Sequence, residues 1–125
     1  MRALIVDDDP ATVALISAIL RRANICVVPA SNGEEALALL ADVRPEVIVL
    51  DMRMPVMDGP TFLRELRARS DATPVVIVSS ANAAAIRDEF GAQAAIRKPF
   101  TAELLLRTID RVSGTTNTPD DASDD

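Results

Sequence analysis

Short runs of apolar, mostly β-branched residues alternate along this chain with longer stretches of helical pattern. The runs predict strands at residues 3–6, 25–28, 47–51, 75–78 and 94–97. Apolar residues spaced by about 3.6 positions predict helices between and after them, at residues 10–22, 34–41, 60–69, 82–90 and 101–112. Strands that alternate with helices form parallel sheets. The chain is therefore predicted to fold as one α/β doubly wound domain.

Length and composition fit a single domain with an aliphatic core. The 125 residues lie in the usual single-domain range. Nearly half are hydrophobic, but only three are aromatic: Phe62, Phe90 and Phe100. We assign residues 1–112 to the domain. Residues 113–125 hold four acids and no base, and their Thr, Pro, Ser and Asp content predicts a disordered tail or linker.

Several classes of protein are disfavoured. No apolar run approaches the ~20 residues that a membrane-spanning helix needs, and Asp7 comes too early for a signal peptide. We therefore expect a cytoplasmic protein. The sequence has no basic stripe or aromatic platform of the kind that indicates direct binding of nucleic acid. Cys26 is the single cysteine, so no intrachain disulfide is possible, and its apolar neighbours predict a small buried side chain.

Polar residues stand where the predicted strands end. Asp7 and Asp8 follow the first strand, Asp51 ends the third, Ser79 follows the fourth and Lys98 follows the fifth. The carboxyl ends of parallel strands share one edge of the sheet, so these side chains are expected to lie together. Three converging carboxylates raise each other's pKa unless a cation offsets them, and Mg²⁺ is a natural choice. A carboxylate there can also attack phosphorus.

Simpler interpretations exist for Asp51 and for the neighbouring Asp9. Asp51 could cap the turn that follows its strand, a common place for Asp. Asp9, the next acid after Asp8, could cap the first helix. Lys98 is the single Lys among thirteen basic residues, which favours a site that needs a compact ammonium rather than a planar guanidinium.

Four motifs, in this order, resemble the receiver domain of response regulators in two-component signalling. They are LIVDDDP at 4–10, VLDMRMPVMDG at 49–59, PVVIVSS at 74–80, and GA at 91–92 leading to IRKPF at 96–100. The resemblance covers residues 1 to about 112. It implies a flavodoxin-like (βα)5 fold whose five-stranded parallel sheet has the order 2-1-3-4-5.

The resemblance also implies roles for individual residues. Asp51 would be the phosphoacceptor, taking a phosphoryl group from the phosphohistidine of a histidine kinase or a phosphotransfer protein. Asp8 and Asp51 would bind Mg²⁺ directly, with the main-chain carbonyl of Arg53 as a further ligand and Asp7 assisting indirectly. Ser79 would be the switch hydroxyl.

Lys98 would pair with the phosphoryl group, and the Lys98–Pro99 bond is expected to be cis. Such a domain promotes only its own phosphorylation and dephosphorylation, so we do not expect an enzyme acting on a separate substrate. The kinase and the downstream protein are not identified by the sequence.

The chain departs from the receiver pattern at one position that matters for signalling. Receivers usually place an aromatic residue three positions before the lysine, and here that residue is Ala95. We expect the loop after Ser79, together with the face formed by the fourth helix, fifth strand and fifth helix, to carry the signal instead. On that face Leu104 or Leu106 is predicted to be exposed, which favours docking of a partner or formation of a homodimer.

Three alternatives remain open from the sequence. The chain could be a receiver-like interaction module that works without phosphorylation, which Ala95 favours. It could be the N-terminal receiver of a longer regulator. A hydrolase of the haloacid-dehalogenase type would also use an Asp at a strand end, but that family needs a second Asp where this chain has Arg53.

Overall fold

The computed structural model describes residues 1–80 and 82–114, without the side chain of Ala83. Strands and helices alternate throughout. The strands are β1 (Arg2–Val6), β2 (Cys26–Ala30), β3 (Val47–Asp51), β4 (Val75–Ser79) and β5 (Ala94–Arg97). The helices are α1 (Pro10–Arg22), α2 (Gly33–Val43), α3 (Gly59–Ala68), α4 (Ala83–Phe90) and α5 (Ala102–Ser113). Residues 115–125 of the predicted tail lie outside the described residues.

All strand pairs are parallel, and the sheet has the order β2-β1-β3-β4-β5. The predicted doubly wound fold and strand order are therefore confirmed. Apolar residues of β1, β3 and β4 are buried because helices cover both faces of the sheet. Ile16 and Leu20 of α1 pack on one face with Leu105 and Ile109 of α5. The opposite face is covered mainly by buried residues of α2 and α3: Ala36, Leu37, Leu40, Phe62, Leu63 and Leu66.

Every helix begins with a polar residue whose side chain accepts a backbone N–H of the first turn. These residues are Asp9, Asn32, Asp58, Asn82 and Thr101. Each cap satisfies an amide that the helix itself leaves without a partner. The helix starts therefore follow from local sequence, and Asp9 and Thr101 cap as predicted. None of the described helices is long and apolar enough to cross a membrane.

The prediction for β2 was wrong in two respects. The strand begins at Cys26 and includes Pro29, although Pro29 was expected to end it. β2 lies at the edge of the sheet, where a missing backbone N–H is tolerated. Cys26 is exposed rather than buried, because it starts an edge strand and pairs with the exposed Arg2.

Helix α5 has the predicted apolar stripe. Leu105 and Ile109 are buried, and Val112 is half-buried. Leu104, to one side of the stripe, is 40% exposed, as expected for a residue on an open face.

Candidate functional site

Three carboxylates converge at the carboxyl edge of the central strands. Asp51 is the last residue of β3, while Asp7 and Asp8 directly follow β1, the neighbouring strand. One oxygen from each carboxylate lies within 4.8 Å of the others. The fold thus brings together the three acids that strand order predicted, in a set of oxygen donors that suits a hard divalent cation.

Two hydrogen bonds to neighbouring backbone groups fix Asp7, one through its own backbone N–H and one through its carboxylate. Its N–H donates to the carbonyl oxygen of Ala30 at 3.0 Å, and its Oδ1 accepts the N–H of Asp9 at 2.9 Å. Asp7 is almost fully buried, whereas Asp8 is exposed. The carboxylate of Asp8 is therefore accessible to solvent, whereas the carboxylate of Asp7 is enclosed by the protein.

Lys98 supplies the positive charge of the site. Its Nζ lies 3.6 Å from Oδ1 of Asp51. Its backbone N–H donates to the carbonyl oxygen of Ser79 at 2.8 Å, which ties the end of β5 to the end of β4. The bond from Lys98 to Pro99 is cis, as expected.

Burial raises the pKa of the Asp51 carboxyl above its ordinary value. The ammonium of Lys98 and the backbone of Met52 oppose this shift, and the charge of Asp8 adds to it. Burial also raises the pKa of Asp7, opposed by the N–H of Asp9 and reinforced by the charge of Asp51. Without a cation, ionisation of the Asp7 and Asp51 carboxyls is therefore less favourable than it is in water.

A pocket of about 370 Å³ opens beside the phosphoacceptor candidate. It has polar walls from Ser79, Ser80, Arg53 and Lys98 around Asp51, and apolar walls from Met52 and Ile86. The predicted residues Ser79, Lys98 and Arg53 thus meet at one cavity with Asp51. Ile86 was missed by sequence reasoning, although it is the single large aliphatic residue of α4.

Gly59 holds the segment after Asp51 against the strand end. A Cβ at this position would lie 2.5 Å from the carbonyl oxygen of Asp51 and 2.8 Å from Cα of Met52. The N–H of Gly59 donates to the carbonyl oxygen of Met52 at 3.1 Å. A side chain would prevent this close approach, so the glycine fixes the shape of the loop beside the pocket.

Ala95 occupies the β5 position expected to hold an aromatic residue. It is half-buried, pairs with Ile77 of β4 and packs against the apolar cluster that also contacts Ile86 and Phe90. The structure therefore has a small side chain where a ring was expected.

A sequence profile for the response regulator receiver domain matches residues 3–110 of this chain. The chain belongs to the response regulator receiver domain family. The response regulator MprA of Mycolicibacterium vanbaalenii is 35% identical over 126 residues, covering 98% of this chain and 54% of that protein. The chain thus spans about half the length of this curated relative.

Solved receiver domains share the fold of this chain. The chemotaxis protein CheY4 of Vibrio cholerae is 34% identical, with a TM-score of 0.81 over 89% of this chain and 97% of that one. The receiver domain of the sensor histidine kinase PA1611 from Pseudomonas aeruginosa is 28% identical, with a TM-score of 0.83 over 91% of this chain and 98% of that one. That receiver coordinates a magnesium ion in its active-site cleft.

Proposed function

We propose that this receiver domain is a phosphoacceptor switch that takes a phosphoryl group on Asp51. The observation that carries the proposal is the position of the Asp51 carboxylate: it lies within 4.8 Å of the Asp7 and Asp8 carboxylates and 3.6 Å from the Lys98 ammonium. Such an arrangement supplies a nucleophile together with the charges that a phosphoryl group requires.

In the proposed reaction, a carboxylate oxygen of Asp51 attacks the phosphorus of a donor phosphohistidine. The new O–P bond gives an acyl phosphate as the N–P bond breaks, and the imidazole leaves with the bonding electron pair. Lys98 attracts the negative charge on the transferred group, and the Ser79 hydroxyl at the same pocket donates to a phosphoryl oxygen. Water then attacks the phosphorus of the acyl phosphate, the O–P bond to Asp51 breaks, and inorganic phosphate leaves, so the free carboxylate is restored and no separate substrate is turned over.

The acidic cluster fits Mg²⁺. Asp8 and Asp51 would hold the ion, with the Arg53 carbonyl as a further ligand and Asp7 supporting them. When bound, the ion would neutralise negative charge on the carboxylates and the phosphoryl oxygens. The burial that raises the pKa of Asp7 and Asp51 supports this assignment, because a cation offsets the charge that burial disfavours.

The pocket also supports a route for the signal that does not need an aromatic ring at residue 95. Ile86 of α4 lines the phosphoryl pocket and packs against the core cluster that Ala95 also contacts. Phosphorylation of Asp51 would shift α4 through Ile86 and so alter the face formed by α4, β5 and α5. Leu104 of α5 is exposed. A downstream protein or a second copy of the chain would bind that face.

Mass spectrometry tests the phosphoacceptor proposal. The protein is incubated with acetyl phosphate and Mg²⁺, and we expect one phosphoryl group that is released by hydroxylamine. Asp51→Asn should abolish the incorporation. Asp42→Asn, which removes an exposed carboxylate at the far end of α2, should leave it unchanged.

Ala95 favours a second candidate function, an interaction module that does not depend on phosphorylation. If wild-type protein and Asp51→Asn both remain unlabelled while the fold is intact, the phosphoacceptor proposal is wrong and this second function is favoured.

A further inference from the structure

Two exposed arginines end helix α1. Arg21 and Arg22 lie in its last turn, and the helix contains no acidic residue. Neither arginine forms an ion pair with a carboxylate in the described part of the chain. The negative end of the helix dipole favours a cation at this position. The two guanidinium groups nevertheless remain accessible to a further anionic group.

Helix α5 ends at the same edge of the sheet. Helices α1 and α5 each follow a strand of the parallel sheet and pack on one face, so both run back to its amino edge. Leu106 of α5 lines a cavity of about 450 Å³ together with Ile19 and Arg22 of α1. Arg111 adds an exposed positive charge in the last turn of α5, beside the exposed Asp110. The chain therefore leaves α5 on the side of the domain where the arginines of α1 lie.

The residues that follow α5 carry the opposite charge. Four acids fall within six residues, and residues 113–125 contain no base. The acids are Asp120, Asp121, Asp124 and Asp125. The net charge of the chain is −6, so −2 remains for residues 1–112 when these four are set aside. The net charge of the domain thus disfavours a separate polyanion, whereas an acidic segment of the same chain is already tethered beside the arginines.

The connecting chain is long enough for this contact. From Leu106, which shares a cavity with Arg22, to Gly114 is about 12 Å along the axis of α5. Gly114 has a φ of 69°, the left-handed conformation in which a helix commonly ends and the chain changes direction. From Gly114 the chain can span about 20 Å to Asp120 and about 33 Å to Asp124. The acids can therefore return to Arg22 without full extension of the segment.

We propose that the acidic residues 120–125 dock on the arginine pair Arg21 and Arg22 at the end of α1. In this contact the guanidinium N–H groups donate to aspartate carboxylate oxygens. The contact lies at the edge of the sheet opposite to Asp51 and does not rest on the proposed phosphoacceptor function. An anionic partner that binds the same arginines must displace the segment, which thus acts as a competitor within the chain.

The single cysteine provides a probe beside the arginine pair. Cys26 is exposed, and its Cα is at most about 14 Å from that of Arg22. A nitroxide is attached to Cys26 of the full ¹⁵N-labelled chain. Broadening of the amide NMR signals of residues 120–125 by the nitroxide is then measured at about 10 mM salt, where charges interact over about 30 Å.

The test variant is Arg21→Gln with Arg22→Gln. The matched control, Arg64→Gln with Arg69→Gln, removes the same charge from exposed residues of α3 and its cap, on the opposite face of the sheet. We expect strong broadening in the wild type and the control, and much weaker broadening in the test variant. Broadening in the wild type should also weaken in 1 M salt, where the screening length is about 3 Å.

A second variant tests the same contact from the acidic side. It combines Asp120→Asn, Asp121→Asn, Asp124→Asn and Asp125→Asn, and it changes no residue of a helix or strand. We expect the side-chain Nε–H signals of Arg21 and Arg22 to shift relative to the wild type.

Three results would overturn the proposal. The first is equal broadening in the wild type and the Arg21→Gln, Arg22→Gln variant. The second is broadening that persists unchanged in 1 M salt, together with unshifted arginine signals in the variant with four asparagines. The third is broadening of the same strength when the nitroxide and the ¹⁵N label are on different chains, which would place the segment on a second copy.

Discussion

The ammonium of Lys98 lies 3.6 Å from the carboxylate of Asp51, although Asp51 ends β3 and Lys98 follows β5. β4 lies between β3 and β5, so the contact spans the strand that ends in Ser79. Lys98 is also tied to that strand through the carbonyl oxygen of Ser79. The ion pair therefore depends on the register of three strands.

Removing the ammonium should change the protonation of Asp51. Lys98 is the largest influence that lowers the Asp51 pKa against the effect of burial. Lys98→Met is therefore expected to move the Asp51 pKa further upward. NMR titration of the Asp51 carboxyl without metal checks this, with Arg97→Met, at the neighbouring exposed residue, as the control. A pKa equal to that of the wild type would show that the ion pair is ineffective in solution.

Asp51→Asn should stabilise the metal-free fold. The folded-state pKa of Asp51 is raised, so the native state holds its proton more tightly than the unfolded chain does. Metal-free stability therefore falls as pH rises from the unfolded pKa through the folded pKa, and the ionised group destabilises the fold at neutral pH. Asn removes that charge. Each 1 kcal/mol relieved should raise Tm by roughly 4 °C in a domain of this size.

Added Mg²⁺ should make the wild type more stable than Asp51→Asn. The wild type should gain stability as the ion binds its folded state, whereas Asp51→Asn should gain much less. Calorimetry at pH 7 with and without Mg²⁺ measures both effects. An Asp51→Asn protein that is less stable than the wild type without metal would contradict the account.

Much of this site was predictable from the order of strands. Asp7, Asp8, Asp51, Ser79 and Lys98 all stand at strand ends, and a parallel sheet brings such ends to one edge. The exposure of Cys26 was not predictable in this way, because an apolar run does not show whether its strand lies at an edge. The edge position of β2 came from tertiary pairing.

Ile86 and Val56 were beyond sequence reasoning for different reasons. Ile86 lies in a helix that begins with three alanines, and its position in the wall of the pocket beside Asp51 depends on where α4 packs. Val56 has a positive φ in a turn that the N–H of Met57 closes onto the carbonyl oxygen of Pro55, and a valine gives no local sequence signal for such a conformation.

Gly59→Ala should distort the loop that follows Asp51. The added Cβ would lie 2.5 Å from the Asp51 carbonyl oxygen, a backbone atom that can move only with the strand end. Strain of this kind costs about 1–3 kcal/mol. We expect a lower midpoint in urea unfolding and slower phosphorylation by acetyl phosphate. Gly91→Ala is a useful comparison, because its Cβ meets nothing and its cost comes from a positive φ alone. Unchanged phosphorylation in Gly59→Ala would argue against the role of this close approach.

The cap of α3 should make stability depend on pH. The hydrogen bonds from Thr61 hold the pKa of Asp58 below its usual value. The stability that the ionised cap adds is fully present above the pKa of Asp58 in the unfolded chain. It is lost as the pH falls through the lower pKa that Asp58 has in the folded protein. Asp58→Ala should cost about 1 kcal/mol at pH 7. Urea unfolding of both proteins from pH 7 to pH 2 should show the difference shrinking in acid, and a constant difference would contradict this assignment.

The central claim is that Asp51 accepts the phosphoryl group, and chemical mapping of the label tests it most directly. Wild-type protein is treated with acetyl phosphate and Mg²⁺ and then reduced with borohydride, which converts an aspartyl phosphate to homoserine. Peptide mass spectrometry locates the converted residue. We predict homoserine at position 51 and unmodified aspartate at positions 7 and 8. Homoserine at position 7 or 8, or at none of the three, would contradict the account.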